Sequence, residues 1–308
     1  FRTAVAQAEL EDREQPGAYH RVRFGPVEIE TTRPELIPAC VALVAHPEDD
    51  RFKPLFGTEV VTPIFGARVP VRAHTLADPE KGSGIAMICT FGDITDVTWW
   101  RELSLPVRAV IGPNGAFRPV TWGSRGWEAA DPARAQQTYD QLANLSAAKA
   151  RTAIVEMLRA PGDLVGDPKP ITHAVKFSEK GDRPLEIATT RQWFIKTMEV
   201  REELLARGGE LQWHPEYMRT RYENWVNGLV GDWCVSRQRF FGVPFPVWYP
   251  IDGNGQIDYA RPIAPDESKL PIDPSTDTPD GYAAAQRNQP NGFAGDPDIM
   301  DTWATSSL

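Results

Sequence analysis

From Val22 to about Val120 the chain is written in short apolar runs: "VEIETTR", "VALVAHP", "EVVTPIFG", "ARVPVRAH", "GIAMICTF" and "LPVRAVI". Each is closed off by Gly, Pro or Asp, residues that make turns and interrupt ladders, so the spacing predicts a strand-rich domain and leaves little room for long helices. In "GIAMICTF" the alternation puts Ile85, Met87, Cys89 and Phe91 on one face and Ala86, Ile88 and Thr90 on the other, the pattern of a half-buried strand. Asp93 follows at once and can cap a helix.

Between 131 and 160 the period changes. Asp131 before Pro132 is an N-cap with a first-turn proline, and Ser146 precedes Ala150, Ala153, Ile154, Met157 and Leu158, which line one helical face until Pro161-Gly162. Strand-like text returns in "ITHAVKF" and "PLEIATTR". At 214–229 an amphipathic helix is expected, with Met218, Tyr222, Trp225, Val226 and Leu229 as its apolar stripe and Arg219 and Glu223 apart from it. From 250 to 298 Pro, Gly, Asp and Ser dominate, which predicts a surface excursion with at most a short helix near "YAAAQR". One phrase occurs twice, "EIETTR" at 28–33 and "EIATTR" at 186–191. No 20–50 residue repeat accompanies it, so both copies read as amphipathic strands ending in a basic residue.

Composition narrows the function classes. A formal charge of −9 over 308 residues excludes a surface coated in basic residues, and any nucleic-acid contact among the 33 Lys and Arg has to be focal. Cys40, Cys89 and Cys234 lie far apart, giving neither a disulfide framework nor a metal knuckle, which fits a reducing, cytoplasmic compartment. No apolar run reaches the length of a membrane span. Phe1 at the start and "DTWATSSL" at the end read as the edges of a piece of a longer protein.

Three stretches hold chemistry. In "CTFGDITDVTWW", Asp93 and Asp96 stand three apart on one side of a first helical turn; they can bind a cation or simply cap the helix and favour its dipole. Thr31, Thr32 and Arg33 end the first echo, where the hydroxyls serve a ligand or strand geometry and the guanidinium an anion or a surface ion pair. "GDWCVSRQRFFGVPFPVWY" at 231–249 offers arginines, aromatics and a proline-restricted strand, open to a phosphate contact or to plain packing.

The order of residues in that last stretch resembles the "DWCISRQR-x-WG-x-P-x-PVWY" segment of the valyl, isoleucyl and leucyl group of class I aminoacyl-tRNA synthetases. "DIMDTWATSSL" at 298–308 is similar to the valyl branch's later catalytic-domain strand, and "TTRPE" at 31–35 resembles the threonine-rich peptide of the group's editing domain. The resemblance covers essentially the whole chain. The group's ATP-handling signatures, H-x-G-H and K-M-S-K-S, are absent, so the chain looks like the large connective insertion of the Rossmann catalytic domain and is not expected to hold a complete ligase site.

The resemblance implies an α+β fold: a β-barrel-like editing domain inserted in the class I Rossmann domain, with helical and catalytic-proximal flanks. Its implied boundaries are 1–20 leaving the catalytic domain, 21–183 editing, and 184–308 returning. The implied reaction is metal-free, water-mediated hydrolysis of threonyl-tRNA specific for valine, needed because a valine pocket cannot strongly reject a near-isostere bearing a hydroxyl. Asp96 matches the residue holding the substrate ammonium, Asp93 one associated with the threonine side chain, and Arg33, with Thr31 and Thr32, the peptide contacting the RNA end. Phe241, Ile299, Asp301 and Trp303 match part of the valine pocket. The partner implied is the tRNA acceptor end, with the chain a monomer; ATP and Mg2+ belong to the full-length enzyme only, and no cofactor to editing.

The chain also departs from the pattern. Many members have Lys at Met87, Thr at Cys89 and an aromatic at Lys81, and a thioether cannot replace an ammonium. The C-x-x-C pair common near 170–185 is missing beside His173, so no zinc is expected. The rival readings are an isoleucyl or leucyl editing domain and a noncatalytic insertion that only positions the acceptor end.

Overall fold

The computed structural model describes residues 3–5, 9–229 and 231–306. These form two compact units, one over 9–190 and the other from 191 onward together with 3–5.

The first unit is built on two ladders. β1 (Leu10–Phe24) is long enough to serve two partners in turn: Leu10–Tyr19 pair antiparallel with β7 (Lys169–Ser178), and His20–Phe24 with β2 (Val27–Thr31). The β1–β2 turn passes through Gly25 at φ +58°, a left-handed conformation that glycine takes without strain. The second ladder runs in the order β4 (Glu59–Val61), β5 (Arg68–Ala73), β3 (Cys40–Ala45), β6 (Ile85–Cys89), with β3 and β5 parallel and the other pairs antiparallel. Neither ladder closes on itself among the described residues, so mixed α and β character is seen and a closed barrel is not.

β3 is the unbroken run CVALVA, and every residue of it is buried, as expected of a strand covered on both faces. Leu43 and Ala45 face a large core with Val22, Phe24, Ile29, Ile154 and Leu158; Val41, Ala42 and Val44 face a smaller one with Ile88, Trp99 and Leu105. Three helices close these cores: α1 (Ile94–Glu102), which supplies Trp99, α2 (Pro132–Asp140) and α3 (Ala147–Arg159). β6 therefore departs from the half-buried reading. Ile85, Met87 and Cys89 do share the large core, but Ile88 is fully buried beneath α1, because the helix that Asp93 starts folds back over the strand's second face.

Other expectations need correction. "LPVRAVI" is extended but joins no ladder; Arg108 within it is instead tied by its backbone N–H to Thr90 Oγ1 at 2.7 Å and by its guanidinium to the Cys40 and Gly126 carbonyls. "PLEIATTR" makes a single bridge, Pro184 to Phe177, and then no regular structure, so only the first echo is a strand. Cys40 and Cys89 are cross-strand partners with buried, free thiols.

The second unit contains β8 (Phe194–Ile195), α4 (Arg201–Glu210), α5 (Met218–Asn227), β9 (Trp233–Cys234), β10 (Ser236–Arg237), β11 (Trp248–Pro250), β12 (Phe293–Gly295), β13 (Ile299–Met300) and α6 (Thr302–Thr305). Its ladders are two-stranded: β8 with β9, β10 with β13, β11 with β12. α5 buries Val226, but Trp225 is 60% exposed, against its assignment to the apolar stripe; the contact with α4 runs instead through Tyr222, whose hydroxyl donates to the Leu204 carbonyl at 2.7 Å. The excursion after 250 has only two short 3₁₀ turns before β12, Glu267–Lys269 and Ala284–Gln286, the latter inside "YAAAQR". No helix among the described residues is long and apolar enough to cross a membrane.

Candidate functional site

Two sequence stretches meet at the end of β2. After Thr31 the chain turns, with Thr31 Oγ1 accepting the Arg33 backbone N–H at 3.0 Å, and Pro34 opens a 3₁₀ turn, Pro34–Ala39, all of whose residues are buried. Arg33 reaches from this turn to the loop before α1, its Nη1 donating to the Gly92 carbonyl at 3.2 Å across 59 residues of sequence. Thr31, Thr32 and Arg33 are each partly exposed, and the Asp93–Asp96 loop is thereby held beside them.

The two aspartates form a reciprocal cap. Asp93 Oδ1 accepts the Asp96 N–H at 3.0 Å, and Asp96 Oδ2 accepts the N–H groups of Gly92 at 2.7 Å and Asp93 at 3.3 Å. Gly92 is required there, since a Cβ would lie 2.6 Å from Asp96 Oδ2. Asp96 is 6% exposed. Burial, with the Asp93 charge next, pushes its carboxyl up to about 7 against the three backbone N–H groups that favour the anion. A carboxyl in this state switches between proton donor and anion near neutrality, as general acid–base or cation-holding work requires.

Arg33 is committed internally. Its Nε donates to Glu35 at 3.0 Å and its Nη2 to Glu186 at 2.6 Å; burial would depress its basicity, and the two carboxylates outweigh that and raise it. Glu35, fully buried, also receives Arg151 of α3 through two hydrogen bonds of 2.9 and 2.7 Å. His20 lies near this group, 8% exposed, with Nδ1 unpartnered; burial and the charge of Arg151 hold it below its ordinary pKa, hence neutral at pH 7. The two echoes thus interact, Arg33 of the first with Glu186 of the second. Sequence reading missed Glu35, Glu186 and Arg151. The echo was the one signal for Glu186, Glu35 closed the TTRPE stretch without being assigned a role, and nothing local marked Arg151.

Met87 is 9% exposed in the core beneath the loop, and Lys81 is an exposed turn residue of the 78–84 loop. Among the described residues no three His, Cys, Asp or Glu side chains converge as metal ligands.

The other predicted residues belong to the second unit. Ile299 on β13 packs on Gly242, where a Cβ would meet its Cδ1 at 2.3 Å. Asp301 is buried, caps α6 through the Trp303 N–H and pairs with buried Arg237 at 2.6 Å. Phe241 and Trp303 are 91% and 57% exposed.

Sequence comparison places this architecture. A family profile described as tRNA synthetases class I (I, L, M and V) matches residues 1–308, and the chain belongs to that family. Over its full length it is 63% identical to a Valine--tRNA ligase of Thermobifida fusca, 62% to one of Leifsonia xyli and 59% to one of Salinispora arenicola. It spans only 35 to 36% of their lengths. A crystallised Agrobacterium radiobacter LeuRS–tRNA–LeuAMS complex matches over 96% of this chain and 31% of that one, at 18% identity and a TM-score of 0.33, too loose for any residue equivalence.

Proposed function

We propose that the first unit is the editing part of a valine–tRNA ligase and hydrolyses the ester of threonyl-tRNA(Val) with water. The observation that carries this reading is the Arg33–Gly92 contact, which joins the threonine-rich turn to the aspartate loop. Asp96, ionised above about pH 7, would hold the substrate ammonium; Asp93 and the Thr31 and Thr32 hydroxyls would meet the threonine side chain; backbone and hydroxyl groups would orient the water facing the ester carbonyl. The RNA terminal ribose hydroxyl can assist that water, since the site as read needs no separate His or Glu base. In the whole protein, of which this chain is a segment, ATP and Mg2+ would serve the ligation of valine, and Phe241, Ile299, Asp301 and Trp303 would wall part of the valine pocket.

Single-turnover release of threonine from threonyl-tRNA(Val) tests the reading. Asp96→Ala is expected to abolish release while tRNA binding persists, Arg33→Ala to impair it, and Arg191→Ala to leave it nearly intact. No release by the wild-type chain under conditions where it binds the tRNA would overturn it. Comparing deacylation of tRNA(Val), tRNA(Ile) and tRNA(Leu), each charged with a noncognate amino acid, separates the rival branches. One observation favours the noncatalytic alternative, in which the insertion only positions the acceptor end: the carboxylates cap a helix and Arg33 is ion-paired to Glu35 and Glu186. In that case Asp96→Asn changes stability and leaves threonine release at the uncatalysed rate in both proteins.

A further inference from the structure

We propose that a recess of the first unit, between Arg118 and Trp127, is a subsite for a nucleotide of single-stranded RNA upstream of the reacting end. The inference rests on the reading that this unit receives a tRNA end, and names a contact surface outside the aspartate loop.

The recess has a volume of about 360 Å³, within the range of small-ligand sites, and its walls include Val107, Arg118, Thr121, Ser124, Trp127 and Thr189. Arg118 is exposed, and among the described residues its guanidinium has neither an ion pair nor a side-chain hydrogen bond. Arg33 and Arg151 are engaged with carboxylates and Arg108 with carbonyls, while exposed Arg125 lies outside the lining of the recess. An exposed cation in the wall of a recess, in a chain of net charge −9, is a focal basic feature of the kind a nucleic-acid contact needs.

Trp127 supplies the second element. Its half-buried ring is held edge-on to Trp122 at 5.3 Å and to Tyr139 at 6.3 Å, and its backbone is fixed by bonds with Ser124 and Gly123. The ring is therefore placed before any ligand arrives. A fixed aromatic face, a free guanidinium and nearby hydroxyls from Thr121, Ser124 and Thr189 match a base that stacks, a phosphate, and a ribose that hydrogen-bonds.

Thr189 locates the recess relative to the aspartate loop. It lies three residues beyond Glu186, which holds Arg33, and three residues extend at most ~11 Å. Both sites are thus within reach of one short single strand.

The test is anisotropy of a labelled RNA oligomer ending in cytidine-cytidine-adenosine, titrated with the 308-residue chain across a range of salt. Arg118→Gln is expected to weaken binding roughly tenfold or more and to flatten the slope of log affinity against log salt by about 0.7, the share of one phosphate on a single strand. Arg118→Lys should restore the slope, and Arg125→Gln, an exposed arginine outside the recess, should leave both quantities unchanged. With threonyl-tRNA as substrate, Arg118→Gln should raise KM at constant kcat; with threonyl-adenosine, which has no upstream nucleotide, neither should move. RNA binding indifferent to Arg118, absent altogether, or equally sensitive to Arg125 overturns the proposal. If binding responds as stated while no protein releases threonine, the subsite stands and the hydrolase reading falls.

Discussion

Asp96 is both a structural cap and the group whose ionisation the proposed chemistry needs, and pH separates the two uses. Its carboxyl is raised in the folded chain from an ordinary value near 3.8 to about 7, so the stability it contributes is fully present below the unfolded value and is lost as pH rises through about 7. Activity should run the opposite way. Threonine release, corrected for the uncatalysed rate, is expected to rise with pH through a midpoint near 7, and Asp93→Asn, which keeps a capping side chain but removes the neighbouring charge, should move that midpoint to lower pH. A midpoint unmoved by Asp93→Asn would detach the profile from Asp96. Glu35 makes a different prediction. Replacing it by Ala strands Arg33 and Arg151 around a buried void and should cost about 3–5 kcal/mol in urea unfolding, whereas Glu186→Gln, at a site 20% exposed, should cost about 1 kcal/mol. In the sequence, Glu35 is only the last residue of the TTRPE stretch. Its importance comes from Arg151, 116 residues away, a separation that no local pattern encodes.

At the scale of elements, local chemistry was legible wherever the element was made locally. Asp131 before Pro132 marked α2, and the side chain does accept the Arg134 N–H; Ser146 marked the start of α3 without making a side-chain cap bond. Asp131→Ala should therefore lower stability by about 1 kcal/mol and Ser146→Ala by much less, read from urea midpoints. Equal losses would mean that Ser146 caps its helix in solution. Reading failed where tertiary contacts decide. "PLEIATTR" has strand composition, yet Glu186 is drawn to Arg33 instead of into a ladder, and "LPVRAVI" gives its backbone to Thr90. β6 has a half-buried pattern and two buried faces, because α1 covers what alternation assigned to solvent. The site was legible as two motifs, and the contact joining them was not.

The whole molecule divides after Thr190, and the first unit contains complete ladders and both the large and the smaller core within itself. A protein limited to residues 9–190 is expected to unfold in urea as one cooperative transition and to retain the β-rich circular dichroism of this unit; a broad, noncooperative melt would show that the cores need the rest of the chain. The family's motifs, spread from Thr31 to Trp303, identified the chain as a segment of a larger synthetase, but motif order does not report how a strand such as β1 is shared between two partners.

The cross-strand thiols of β3 and β6 make the sheet its own reporter. Burial pushes Cys40 up to about 12 and raises Cys89 as well, so in the closed sheet neither is a usable nucleophile, while half-buried Cys234 lies in the other unit. Alkylation of Cys40 and Cys89 must wait for the central ladder to separate. Mass-resolved labelling rates would then time the breathing of the strand that leads directly into the aspartate loop.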